Sequence, residues 1–272
     1  MLRLSFGLVL AFLSAIAINW AYSAQHDAVS VMPGFTLRRP VRLLEHLLRS
    51  RAWLVGFGSE SVGWLLYLAA LRLSPLSLVQ GIGASGIGVL AVASSRSRRT
   101  PLSTLETAAV LAGVAGLALL AASIAASTQH DRPPAVSAVA FWLGGTVAGA
   151  AALVARRRLT RAPALGLAAG LLFGAGDICS KLVVLGHLWL VALVPALAAY
   201  TVGTALLQQA FQRGGALTSA GLATLATNAV PIVAGFSLFD EQLPRATAGA
   251  LQVASFAALV VSAILLTRTA RA

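Results

Sequence analysis

Residues 53–80 read Trp53-Leu-Val-Gly-Phe-Gly-Ser-Glu-Ser-Val-Gly-Trp-Leu-Leu-Tyr-Leu-Ala-Ala-Leu-Arg-Leu-Ser-Pro-Leu-Ser-Leu-Val-Gln80. A long apolar run with one acid near its middle reaches Arg72, turns at Ser74-Pro75, and begins again. The second run continues to residue 95 and stops at Arg96-Ser-Arg-Arg99. Spanning the hydrocarbon of a bilayer takes about 20 such residues. Lipid offers no hydrogen bonds to bare backbone, so segments of this length must be helices. The pair is therefore a transmembrane helical hairpin.

The same pattern extends outward over the chain. Apolar segments fall at 4–22, 52–72, 75–95, 107–126, 135–155, 163–185, 188–208, 216–238 and 246–267. Of the 272 residues, 58% are hydrophobic and 10% charged, against about 25% charged in a soluble domain. Mean hydropathy is +0.86. The expected fold is an all-α integral membrane protein, one polytopic domain over 1–272 with about nine transmembrane helices.

The net charge of +12 does not point to nucleic acid. The basic residues sit in short runs between apolar segments instead of on one folded face. Arg38, Arg39, Arg42, Arg49, Arg51, Arg96, Arg98, Arg99, Arg156, Arg157, Arg158, Arg161, Arg213, Arg268 and Arg271 follow the odd-numbered segments. Only Arg3, Arg72, Arg132 and Arg245 fall on the other side. By the positive-inside rule this alternation predicts a cytoplasmic C-terminus, an outside N-terminus and location in the cell membrane. Met1 to Ala24 also has the layout of a signal peptide, although the positive charge after it favours a retained helix. Residues 25–51 are read as a cytoplasmic amphipathic segment, with leucines at 43, 44, 47 and 48 opposing Arg42, Glu45 and Arg49. The single Cys179 permits no internal disulfide.

An internal repeat is expected. Leu8-Val-Leu-Ala-Phe-Leu-Ser-Ala-Ile-Ala-Ile-Asn19 parallels Gly166-Leu-Ala-Ala-Gly-Leu-Leu-Phe-Gly-Ala-Gly-Asp177, and Ala70 to Gln80 parallels Ala210 to Ala220. The first repeat spans 4–126, the second 163–267, and 135–155 is a linking helix. A period of five helices is odd, so the second copy lies inverted in the membrane, as in many secondary transporters.

Ionisable groups at membrane depth are functional candidates by default. Glu60 sits mid-helix; Asp177 and Lys181, four apart, share a helix face. Lys181 is expected to snorkel outward. Asn19 occupies the place of Asp177 in the first repeat. Gln80 and Asn228 are candidates to line a substrate site or simply to join helices. Pro231, one turn beyond Asn228, and Pro195 are expected to free backbone carbonyls. The glycines at 81, 83, 86 and 88, and at 166, 170, 174 and 176, are spaced for close helix packing. Gly81-x-Gly-x-x-Gly86 lacks the strand-to-helix context of a dinucleotide site. His26, His46, His130 and His187 form no metal-spaced cluster, and neither His-Glu-x-x-His nor Gly-x-Ser-x-Gly occurs. No enzyme and no cofactor are expected.

Two groups of motifs carry a family resemblance. Trp53 to Glu60, then Gly63 to Gln80, resembles the NIPA-like pattern. Gln209-Ala-Phe-Gln-Arg-Gly-Gly215, Asn228-Ala-Val-Pro-Ile-Val-Ala-Gly235 and Phe239-Asp-Glu-Gln-Leu-Pro244 resemble the EamA second-half pattern. The chain thus looks like the drug/metabolite transporter superfamily, commonly of ten helices, with one early helix replaced by the 25–51 segment. The inverted repeat and the buried carboxylates, with this resemblance beside them, lead to the expectation of a secondary transporter of a small polar or amphipathic metabolite, proton-coupled through Glu60 or Asp177. A NIPA-like magnesium or divalent-cation transporter and a non-transporting membrane scaffold stay open as alternatives. Expected partners are the lipid bilayer and a small-molecule or ion substrate, with a homodimer left open and no nucleic acid. A transport protein should hold a midplane cavity touching Glu60 or Asp177; a scaffold should be a closed bundle.

Overall fold

A computed structural model describes residues 2–33, 40–83, 86–124, 134–155, 162–239 and 247–269. Within them the chain is helical throughout, with no strand. The helices are α1 (Leu2–Ser30), α2 (Pro40–Arg49), α3 (Arg51–Leu71), α4 (Leu76–Gly83), α5 (Gly86–Arg98) and α6 (Thr104–Ile124). They continue with α7 (Val136–Ala155), α8 (Ala162–Leu185), α9 (Leu193–Phe211), α10 (Ala216–Leu238) and α11 (Thr247–Thr269). A 3₁₀ turn, His187–Ala192, leads into α9. Among the described residues seven helical stretches are long and apolar enough to cross a membrane: Arg3–Ser30, Arg51–Leu71, Leu78–Arg98, Val136–Ala155, Ala162–Leu185, Leu188–Phe211 and Ala216–Gly235. The protein spans the membrane several times.

The layout follows from side-chain size. In α8 and α10, 78% of the spanning residues are buried, against 17% in α7, so α8 and α10 form the centre and α7 the rim. Small residues bring the central pair together. A Cβ on Gly166 would collide with the Ser219 carbonyl oxygen, and one on Gly170 would lie 2.8 Å from Ala223 Cα. Thr227 Oγ1 donates to the Gly170 carbonyl at 3.3 Å across the same seam. Outward-facing positions carry large apolar groups such as Phe6, Val55, Phe141 and Val194, as lipid contact requires. A second seam joins α6 to α11, where Ser262 Oγ donates to the Ala109 carbonyl at 2.7 Å.

Two turns are alike in detail. After α3, Leu73 N donates to Ala70 O at 3.0 Å and Val79 N to Pro75 O at 3.0 Å; after α9, Arg213 N donates to Ala210 O at 3.0 Å and Ser219 N to Gly215 O at 3.0 Å. The cap residues Arg72 and Gln212 share φ near −73° and −71°. At the end of the bundle that holds the turn after α9, Ser97 Oγ donates to Asp27 Oδ2 at 2.6 Å and Gln212 Nε2 to the Pro33 carbonyl at 3.1 Å. The connections after α1, α5 and α9 therefore share one end. Arginines 38, 39, 132, 156–158, 161, 245 and 271 lie outside the described residues.

Several expectations are revised. The first helix does not stop at residue 22 but runs to Ser30, so only part of 25–51 is a connection. Its remaining helix, α2, is amphipathic as expected, with Leu47 buried and Arg49 paired to Glu45 at 2.7 Å. Pro195 lies in the first turn of α9, directly after the 3₁₀ turn, a position where a missing N–H is readily tolerated. Pro231 does sit inside α10, which continues unbroken to Leu238, and it relieves the Thr227 carbonyl of its helical donor. Gly186, with φ at 77°, makes the sharp exit from α8 that an L side chain would resist.

Candidate functional site

Between α1, α3, α4, α8, α9 and α10, with α2 along one side, lies a cavity of about 780 Å³. Glu60, Asp177, Asn19, Gln80 and Asn228 all line it, although they come from five helices. The sixth candidate, Lys181, does not. It is 2% exposed, so it is buried in the protein and does not snorkel.

Asp177 projects from the glycine-rich face of α8. Its Oδ1 accepts from the Tyr200 hydroxyl at 2.6 Å and its Oδ2 from Gln80 Nε2 at 2.8 Å. Gln80 Nε2 also reaches the Tyr67 hydroxyl at 2.8 Å, and Ser180 Oγ lies 3.1 Å from Tyr200. One carboxylate thus ties α8 to α4 and α9. Gly176 permits it, because a Cβ there would meet the Tyr200 ring at 2.8 Å.

Glu60 anchors a second network. Gln25 Nε2 donates to Glu60 Oε2 at 2.6 Å, and Gln25 Oε1 accepts from Gln208 Nε2 at 2.6 Å. Gln25 and Gln208 are each 0% exposed. The chain of groups links α3 through α1 to α9. On the remaining wall, Thr224 Oγ1 donates to Asn19 Oδ1 at 3.2 Å, joining α10 to α1. Asn228 Nδ2 is taken up by the Thr224 carbonyl at 2.6 Å, and its Oδ1 faces Gly83. Gly86 is required beside Asn19, whose amide fills the place of a Cβ.

The rest of the lining is aromatic and aliphatic. Tyr22 stacks at 6.4 Å on Phe173, Phe173 lies 6.2 Å from Tyr200, and Tyr200 is 5.9 Å edge-on to Trp64. Leu44, Leu47 and Leu48 of α2 close part of the wall beside Trp53 and Phe57. Tyr200, Tyr67, Thr224 and Gln25 were not singled out by sequence. Gln25 lay just beyond the apolar segment, and the other three are unremarkable at their own positions. The only signal for Tyr200 is its register, 140 residues after Glu60, matching the spacing of the paired turns.

These features define a multi-span helical membrane protein with a carboxylate-bearing cavity between its helices. No family model matches the chain. Over 70 residues it is 33% identical to the probable magnesium transporter NIPA9 of Arabidopsis thaliana. That stretch is 26% of this chain and 20% of the plant protein, so the likeness covers about a fifth of the relative's length. No solved structure matches.

Proposed function

We propose that the protein is a secondary transporter of the drug/metabolite transporter type, moving a small metabolite across the cell membrane. The observation that carries the reading is that one cavity is lined by both Glu60 from the first half and Asp177 from the second. A passive scaffold would gain nothing from placing two acids beside a void.

In this reading nine helices cross the bilayer: α1, α3, α4 with α5, α6, α7, α8, α9 with its 3₁₀ turn, α10 and α11. Exchanging α1, α3, α4–α5 and α6 for α8, α9, α10 and α11 matches the larger helix pairs, the packing of α7 on α8 apart. α1 packs on α3 and α4–α5 as α8 packs on α9 and α10, while α6 meets α11 and α4–α5 meets α10. The two matching turns, and Gly63 against α1 beside Gly203 against α8, fit the same exchange. With a period of five helices the halves run in opposite senses, with the C-terminus and the arginine-rich connections cytoplasmic. Asn19, Gln80, Asn228 and the two acids form the substrate site, and rocking one half against the other opens it alternately. Lys181 serves as structure, offsetting charge within α8.

Proton coupling follows from cost. A charged side chain at the bilayer centre costs about 3 kcal/mol or more. Glu60 and Asp177 are ionised while they hold substrate and protonated when the empty carrier returns. In proteoliposomes carrying an internal pH dye, substrate should drive proton movement that Glu60→Gln and Asp177→Asn each reduce at least tenfold. Uncoupled, unchanged flux in both variants refutes the reading.

The likeness to NIPA9 favours a second reading, transport of magnesium. A hard cation takes six or more oxygen ligands, and here two carboxylates, amides and hydroxyls would supply them. Among the described residues no group of three or more His, Cys, Asp or Glu side chains gathers. A magnesium dye in the same vesicles decides between the two cargoes.

A further inference from the structure

We infer that the cavity recognises a monovalent organic cation with an apolar body. This deepens the transport reading by naming its substrate class. The first argument is charge. The chain carries a net +12, yet among the described residues the cavity is lined by Glu60 and Asp177 and by no lysine, arginine or histidine. Whichever acid carries protons, two acids with no base facing them favour a cation in the cavity over an anion.

The second argument is the wall itself. Tyr22, Phe173, Tyr200 and Trp64 form a continuous run of rings across α1, α8, α9 and α3, with neighbouring centroids 5.9–6.4 Å apart. All three tyrosines of the chain line the cavity. Both acids adjoin this run, Asp177 through the Tyr200 hydroxyl and Glu60 one turn before Trp64 on α3. Ring faces attract a cation whose hydration is weak, most strongly when water is excluded. A tightly hydrated divalent ion gains little from them.

The third argument is size and donor chemistry. About 780 Å³ lies within the range of pockets that enclose whole organic ligands and far exceeds a bare ion. The acids already accept hydrogen bonds from Gln25, Gln80 and Tyr200, with which a divalent cation seeking six or more oxygens would compete. A bulky ammonium needs only the residual negative potential.

The test uses the purified full chain in nanodiscs, with binding read by quenching of tryptophan fluorescence. Phenyltrimethylammonium is compared with tert-butylbenzene, its neutral carbon isostere, and with Mg²⁺ alone. The cation should bind at least about tenfold tighter than the isostere. Trp64→Leu should weaken the cation by about fivefold to thirtyfold. Tyr200→Phe should lose less than Tyr200→Leu, because the ring face is kept. Retained tert-butylbenzene affinity shows that each variant is folded. Equal affinity for cation and isostere, or saturation by Mg²⁺ with no response to the ammonium, overturns the inference. Selective binding without flux in vesicles refutes the transport reading and leaves this one standing. Flux of another solute with no ammonium binding does the reverse.

Discussion

Gln25→Leu tests whether the polar thread between α3, α1 and α9 is integral to the protein. The substitution keeps an apolar group of similar size but removes both ends of the thread. Glu60 Oε2 loses a donor at 2.6 Å, and Gln208 Nε2 loses an acceptor at 2.6 Å. Gln208 is fully buried, and its Oε1 already has no partner among the described residues. Each buried polar group left unsatisfied costs about 1–3 kcal/mol, so the variant should lose about 2–4 kcal/mol. A pairwise hydrogen bond within a membrane bundle is worth less, about 0.6 kcal/mol on average and about 1.7 at most. A double-mutant cycle of Gln25→Leu with Gln208→Leu should therefore give a coupling of about 1 kcal/mol. Equilibrium unfolding in mixed micelles, followed by tryptophan fluorescence, measures all four proteins. A Gln25→Leu variant within about 0.5 kcal/mol of the native chain, with no coupling, would refute the reasoning.

Gly170→Val places a Cβ 2.8 Å from both Ala223 Cα and Ala226 Cβ; parting α8 from α10 should cost about 1–3 kcal/mol, seen as a lower unfolding midpoint. Glu106 caps α6 reciprocally with Ser103, at 2.8 and 3.2 Å, and pairs with half-exposed Arg98 at 2.9 Å. Glu106→Ala should lose about 1 kcal/mol in the same unfolding assay, and Glu106→Gln about half of that, because the capping bond survives while the surface ion pair is worth little. Cys179 is buried, so intact vesicles of the native chain should resist an impermeant maleimide. Ser97→Cys and Gln212→Cys should then be labelled from one and the same face; labelling from opposite faces would contradict the shared end of α1, α5 and α9.

The segment read as 216–238 is α10, residue for residue, and the segments at 52–72 and 135–155 agree with α3 and α7 within a residue or so. That much is dictated locally, because a bilayer demands a stretch of apolar residues long enough to cross it and a polar break between stretches. The short turns at 72–75 and 212–215 were legible for the same reason. All six candidate residues were read as polar exceptions within apolar runs, which is a one-dimensional signal; that five of them line one cavity is a tertiary fact.

Their partners were not legible. Apart from α2, the long helices carry apolar residues almost evenly around their circumference, so the sequence does not say which face meets protein and which meets lipid. Gln25 with Gln208, Asn19 with Thr224, and Gln80 with Asp177 are separated by 183, 205 and 97 residues. Only tertiary packing chose those pairings. It did so through backbone contact at Gly166 and Gly170, which seats α10 against α8, and through the buried course of α1 beyond residue 22. Composition put the chain in a membrane; the places where small residues let helices touch decided what lies between them.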